Sequence, residues 1–256
     1  HLLARLRALP VLVTGGNVLG TSLPGAHAIT GGLGGLGLCA AALVVRHGSA
    51  SVTLASRAGR VARGGQGLEA QLSALRTATE NRALVVACDA TDGAEARAVL
   101  ASAARPAAPV CGVLHAAGIG DTGLISEMHR WRVDSAMSPK AGAAARLHQQ
   151  TSTAALTALV QWSSVAAAYG NAGQGSYAAA NAYLDALTLC RRAAGLSAVC
   201  MQWPLVGGAG MGAAAGFTER QARGRGMAPI SLAEYAACLA TALTTSVIAS
   251  GRALAP

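Results

Sequence analysis

Between Ala26 and Leu243 the chain repeats one pattern: a short apolar run, a turn, then a longer helix-like stretch. The strand-like runs are Ala26–Thr30, Ser51–Ala55, Ala83–Cys88, Val110–His115, Ala158–Ser163 and Ala198–Trp203. The segments between and after them, 38–47, 67–76, 94–104, 128–150, 177–194 and 232–243, read as helices. Such alternation leaves little choice of architecture. Consecutive strands joined through helices run parallel, and a parallel sheet must be covered on both faces. The expected fold is therefore α/β: a Rossmann-type, doubly wound parallel sheet of six to seven strands with helices on both faces. A seventh strand is expected at the short run Arg252–Ala255. Residues 1–25 fit no strand–helix unit and read as a linker or the remnant of a preceding subdomain. The opening at His1, without an initiator Met, favours excision or processing. Residues 26–256 form the domain proper, with a glycine-rich, irregular lid at about 205–226.

Glycine placement marks a ligand site. The run Thr30-Gly31-Gly32-Leu33-Gly34-Gly35-Leu36-Gly37 follows a strand and leads directly into a helix. Glycines there let the backbone turn sharply and approach a pyrophosphate, while the helix N-terminus presents N–H groups and the positive end of its dipole. A second run, Thr14 to Gly20, continues into Thr21, Ser22 and Pro24 and cannot open a helix cleanly. It is assigned to structure. The second strand ends in Ser56-Arg57, with no carboxylate before Glu69. An acid would hold a ribose 2′-hydroxyl, whereas Arg57 suits a 2′-phosphate, so the cofactor expected is NADPH.

Of the twenty Lys and Arg residues, Lys140 alone is a lysine. A chain that charges its surface with arginine keeps a lysine where a compact ammonium can tune a neighbour. Tyr177 and Asn181, four apart, share one face of a predicted helix. Ser163-Ser164 lies at the carboxyl end of the fifth strand, the edge at which open parallel sheets bind ligands. Composition narrows the partners. A net charge of +9 with pI near 10.0 asks for an acidic one. A single Phe and no basic cluster longer than Arg191-Arg192 argue against nucleic acid. The charge-free stretch from Ala8 to Val45 is interrupted by Pro10, Pro24 and many glycines, so it is not a membrane span. No signal peptide is evident. Cys39, Cys88, Cys111, Cys190, Cys200 and Cys238 are scattered through apolar runs without a CxxC pair or any metal-ligand spacing. That usage fits reduced, buried thiols and a cytoplasmic location, with no metal.

Together Lys140, Ser164, Tyr177 and Asn181 resemble the short-chain dehydrogenase/reductase tetrad as it occurs in ketoreductase domains of polyketide synthases and type I fatty-acid synthases. The segment from Trp162 to Leu187 carries the closest match, joined by Gly31–Gly37, Ser56-Arg57, Cys88-Asp89, His115-Ala116-Ala117-Gly118, Pro139-Lys140 through Leu147-His148, and Gln202-Trp203. The resemblance implies NADPH-dependent reduction of a β-ketoacyl thioester carried on an acyl-carrier protein, among neighbouring synthase domains. It implies Tyr177 as proton donor, Lys140 as the group that lowers its pKa and binds the nicotinamide ribose, Ser164 as the carbonyl's hydrogen-bond partner, and Asn181 as the holder of a water. Asp89 would contact adenine, and Ala116, Ala117 and Gly118 would line the cofactor. Asp121 in the loop after the fourth strand and Gln161, three residues before Ser164, stand at positions that vary with product configuration, and together lean towards a (3R)-hydroxyl. The sequence departs from the family at Trp203-Pro204-Leu205, where Trp-Gly-Pro is usual, and at Thr122, which replaces a second acid. Two alternatives remain: a free-standing short-chain dehydrogenase acting on a small alcohol, ketone or steroid, and a catalytically silent nucleotide-binding scaffold.

Overall fold

The computed structural model describes residues 22–62, 67–104, 108–208 and 228–249. Six strands, β1 (Ala26–Thr30), β2 (Ser51–Ser56), β3 (Ala83–Ala87), β4 (Val110–His115), β5 (Ala158–Ser164) and β6 (Val199–Trp203), form one sheet in the order β3-β2-β1-β4-β5-β6. Every pairing is parallel. The sheet is Rossmann-like, with helices on both sides. Because all strands point the same way, their carboxyl ends share one edge, and the order reverses between β1 and β4.

One face of the sheet packs against α1 (Gly35–Arg46), α2 (Leu68–Ala78) and α8 (Leu232–Ala249). Ile29, Leu54, Val160 and Trp162 project from the strands into this core, where they meet Leu38, Leu43, Leu75, Leu239 and Leu243. The opposite face supports α3 (Gly93–Ala103), α5 (Ala143–Thr151) and α7 (Gly175–Ala193), which follows the single turn α6 (Ala166–Tyr169), with Ala28, Val113 and Leu159 against Val99, Ala143 and Leu147. This alternation is the two-residue strand period at work. Leu23 is also buried in the first core, and its N–H donates to His47 O at 2.7 Å, so the packing extends at least two residues before β1.

Aromatic residues are few, and three of them form one structure. Trp162 and Trp203 lie 6.5 Å apart, Trp203 and Tyr235 4.6 Å apart, all tilted. Trp162 Nε1 donates to the Tyr235 hydroxyl at 3.1 Å, and that hydroxyl donates to Leu36 O at 2.9 Å. Rings so placed add contact energy beyond their buried area. The cluster fastens α8 to the sheet and to the first turn of α1.

Three elements differ from their sequence expectations, each for a physical reason. Helix α1 begins at Gly35 rather than Leu38, because a tertiary contact outweighs glycine's poor propensity. A Cβ at Gly37 would strike the Gly31 carbonyl, so only glycine lets the helix begin there. The expected single helix over 128–150 is instead α4 (Arg130–Met137), a π-turn (Ser138–Gly142) and α5. Pro139 has no N–H to give and crowds the preceding turn, so the ladder widens there. Helix α8 runs on to Ala249. Burial of Leu239 and Leu243 carries the helix through these weak helix formers, while the hydroxyls of Thr241, Thr245 and Ser246 are each satisfied by the carbonyl four residues back.

The expected seventh strand, the first glycine run and residues 209–226 of the expected lid lie outside the described residues. The residues on either side of 209–227 are joined: Gly207 N–H donates to Ile230 O at 2.8 Å and Ile230 N–H to Leu205 O at 2.9 Å. Among the thiols, Cys88 and Cys111 are buried as expected, Cys39, Cys200 and Cys238 are half-buried, and Cys190 on α7 is exposed. Among the described residues no helix is long and apolar enough to cross a membrane.

Candidate active site

The glycine run forms a turn whose shape other residue types would destroy. Gly31 has φ of +70°, and a Cβ there would sit 2.6 Å from the Ala116 carbonyl carbon. Gly32 is wedged between Ile29 O and Leu54, and Leu33 is fully buried in the core. Gly34 is different: a Cβ there would meet nothing nearer than Gly31 O at 3.4 Å, so that side faces open space. No side chain caps the N-terminus of α1, and its first turn has no acid. The amides of Gly35, Leu36 and Gly37 therefore form an uncapped anion-attracting end beside an open cradle.

The neighbouring strand ends complete this edge. Ser56 closes β2 and donates from Oγ to Arg60 O at 3.2 Å. Arg57 is exposed and makes no ion pair among the described residues. After β3, Asp89 Oδ1 accepts from Thr91 N and Thr91 Oγ1 at 3.0 and 2.8 Å. After β4, Ala116 N–H donates to Thr30 O at 2.9 Å, and Gly118 lies against Lys140, where a Cβ would come within 2.7 Å of Cε.

Lys140 is carried inward by the π-turn and is 2% exposed. Its Nζ donates to Trp162 O at 2.7 Å and lies 5.5 Å from the centre of the Tyr177 ring. Burial pulls its pKa down to about 8, against the opposing influence of Cys200 and Asp185. Tyr177 projects from the first turn of α7. Burial raises its pKa, while hydrogen bonds from the Ser164 and Asn181 side chains work to lower it. Ser164, the last residue of β5, accepts at Oγ from Ala166 N at 3.2 Å, so its own proton is available to another acceptor. Asn181 is fully buried. Its Nδ2 donates to Tyr177 O at 2.8 Å, while Oδ1 has no protein partner. A buried amide oxygen in that state suits a bound water or a ligand hydroxyl. All four residues thus meet at the carboxyl edge of the sheet, next to the glycine turn.

His115 belongs to this assembly, although the sequence reading gave it no role of its own. Its Nε2 lies 3.0 Å from Lys140 O and its Nδ1 2.7 Å from Thr30 Oγ1. A carbonyl can only accept, so Nε2 carries the proton and the Thr30 hydroxyl donates to Nδ1. Burial holds the ring's pKa down at about 4, so it stays neutral and this tautomer persists. The bridge ties the start of the glycine turn to the lysine-bearing turn. The available signal was a histidine closing an otherwise apolar strand.

The two residues read as stereochemical markers are placed differently. Asp121 stands beside Arg132 in the loop after β4, with Oδ1 2.8 Å from the guanidinium. Gln161 is 1% exposed, and its Nε2 donates to Thr188 Oγ1 at 2.9 Å beneath α7. Its side chain is therefore enclosed between sheet and helix and is not brought to the tetrad.

Residues 25–208 match the family model described as the KR domain. The chain is a ketoreductase domain of the polyketide-synthase type, within the short-chain dehydrogenase/reductase family. This KR domain is 44% identical over 178 residues to the polyketide synthase GfsB of Streptomyces halstedii, covering 69% of the chain and 3% of that protein. It is 40% identical over 214 residues to the phenolphthiocerol synthesis polyketide synthase Pks15/1 of Mycobacterium bovis, covering 82% and 10%. Among solved structures, A-type ketoreductases from a modular polyketide synthase superpose with a TM-score of 0.78 at 34% identity, over 90% of this chain and 48% of that one. The first ketoreductase of the tylosin synthase gives 0.74 at 34%, over 87% and 47%. The KR domain thus spans about half the length of these solved chains and a small fraction of the synthases it matches.

Proposed function

We propose that this KR domain reduces the β-keto group of an acyl thioester, delivered on an acyl-carrier protein within a polyketide or fatty-acid synthase, with NADPH as reductant. The observation that carries this reading is the convergence of Lys140, Ser164, Tyr177 and Asn181 beside an uncapped, glycine-cradled helix terminus. A basic balance of +9 favours an acidic carrier as partner.

The residues present fit a dinucleotide. The open side of Gly34 and the amides of Gly35 to Gly37 would take the pyrophosphate, with Thr30 to Gly32 shaping the turn. Asp89 would lie at the adenine, Ser56 and Arg57 at the 2′-phosphate, and Ala116 to Gly118 along the adjoining wall. NADPH, when bound, supplies the hydride that the carbonyl carbon receives. The chain's own work is proton transfer and placement. Ser164 donates a hydrogen bond to the substrate carbonyl oxygen, fixing it within reach of Tyr177. Tyr177 releases its phenolic proton to that oxygen as negative charge develops there. Lys140, held by Trp162 O, stabilises the phenolate left behind and offers its remaining protons to the nicotinamide ribose. Asn181 Oδ1 holds a water through which Tyr177 is reprotonated by way of Lys140.

NADPH consumption with a β-ketoacyl thioester surrogate tests the reading. Oxidation that depends on the thioester is the expected result; none with NADPH or NADH overturns it. The cofactor assignment has its own check. A charge-assisted contact contributes roughly 1.5–3 kcal/mol, or about tenfold to a hundredfold in affinity. NADPH is therefore expected to bind that much more tightly than NADH, with Arg57→Ala closing most of the gap. Equal dissociation constants in the native protein, measured by fluorescence titration, would remove Arg57 from the cofactor site.

A further inference from the structure

The loop from Ile119 to Leu124 follows β4 and lies across the same edge as the tetrad. It starts at Gly118, against Lys140, and reaches the segment before α7, where Gly123 N–H donates to Gly173 O at 2.7 Å. Tyr177 is four residues beyond that contact. The loop therefore spans from the lysine to the start of the tyrosine's helix, forming one wall of the approach to both. Its apolar side chains are open to solvent: Ile119 is 37% exposed and Leu124 64% exposed, followed by Ile125 at 84%.

One side chain from outside holds this wall in shape. Arg132 on α4 donates to Asp121 Oδ1 from Nε at 3.3 Å and from Nη2 at 2.8 Å, and the same Nη2 bonds Thr122 O. The pair is mostly shielded, with the Arg132 and Asp121 side chains 18% and 16% exposed. Gly123 packs directly on the guanidinium, and a Cβ there would run into it. Arg132 thus holds three consecutive loop residues at once, by charge, backbone carbonyl and close contact. The planar guanidinium does this as a rigid fork, which a lysine could not copy. The Asp121 carboxylate is correspondingly occupied by a protein partner.

We infer that Arg132 is a positioning residue for the substrate, shaping through Asp121 the wall against which the acyl chain lies, and that Asp121 acts through this clamp rather than on the acyl chain itself. The inference rests on the reductase reading above. The test compares the native protein with Arg132→Ala, Asp121→Ala and the double variant, using NADPH and a prochiral β-ketoacyl thioester. Each single variant is expected to raise KM for the thioester about tenfold and to broaden the ratio of (3R) to (3S) product. Both kcat and the NADPH dissociation constant should stay within about threefold of native, and Arg132→Lys should fail to restore KM. Because both residues serve one device, the double variant should be no worse than either single one. Hydrogen exchange at the Gly123 amide should quicken in Arg132→Ala and not at the β5 amides, a readout that needs no turnover. Additive effects of the two substitutions, or native KM and product ratio in Arg132→Ala, would overturn the inference. A native protein that fails to reduce thioesters would instead remove the reductase reading, while the exchange result would still report whether the clamp exists.

Discussion

Tyr177→Phe is expected to lower thioester reduction by about three orders of magnitude while leaving the NADPH dissociation constant within about twofold. The substitution removes one hydroxyl and keeps the ring that packs near Lys140, so the cradle for the cofactor is untouched. What is lost is the acid. A positioned proton donor contributes roughly 10²–10⁴-fold, and none of the remaining neighbours can replace it. Ser164 is far less acidic than a phenol. Lys140 gives one proton to Trp162 O and stands 5.5 Å from the centre of the Tyr177 ring, placed to act through the phenol rather than in its stead. Single-turnover absorbance at the reduced-nicotinamide band separates the two effects directly. Retention of more than a tenth of native turnover would mean that another group delivers the proton.

The second large effect is a trade between stability and activity at Lys140. An ammonium whose pKa falls from 10.5 to about 8 on folding is held at a cost of roughly 3 kcal/mol while it stays charged. The sign follows from linkage. The unfolded chain binds this proton more tightly, so stability rises with pH between about 8 and 10.5, and the cost is fully present below 8. Lys140→Met keeps the buried methylene stem and discards the charge. It also leaves Trp162 O without its donor, which takes back about 1 kcal/mol. A net gain of about 2 kcal/mol at pH 7 is expected, a rise in Tm of about 5 °C for a domain of this size. The gain should shrink steadily from pH 8 to pH 10.5. Reduction, in the same variant, should fall to background and NADPH binding should weaken. A Lys140→Met protein less stable than native at pH 7, by denaturant titration, would show that the buried ammonium is not held at a cost.

Much of this was legible in the chain. The four central strands are buried on both faces, all six are bounded by turn residues, and each was located to within a residue or two. Tyr177 and Asn181 were legible as a pair four apart on one helix, Ser164 by its place at a strand end and Lys140 as the one lysine, and the family resemblance joined them as a tetrad. What escaped was everything settled by contacts between distant segments. The π-turn at Ser138–Gly142 depends on how Pro139 and Lys140 fit under the sheet, and a periodic pattern through 128–150 hides it. The His115 bridge and the Arg132 clamp join residues 85 and 11 positions apart with no local signature. Gln161 could have been read better. It is an odd number of residues from Ser164 on the same strand, and a two-residue period sends the two side chains to opposite faces.

The aromatic pin has a consequence for how the domain is made. The Tyr235 hydroxyl meets Leu36 O across 199 residues of chain, so the floor beneath the glycine turn is finished only when α8 arrives. During synthesis Leu36 leaves the ribosome 199 residues ahead of Tyr235, its partner on α8. Contacts of such separation are slow to form, because the loop between them must be closed before the contact can reward it. The face of the sheet that α8 covers accordingly waits, with its apolar strands exposed, for that helix. Truncation within α8 would leave the tetrad's sequence complete while the first turn of α1 lacked its anchor, and the product would be a chaperone client rather than a smaller enzyme.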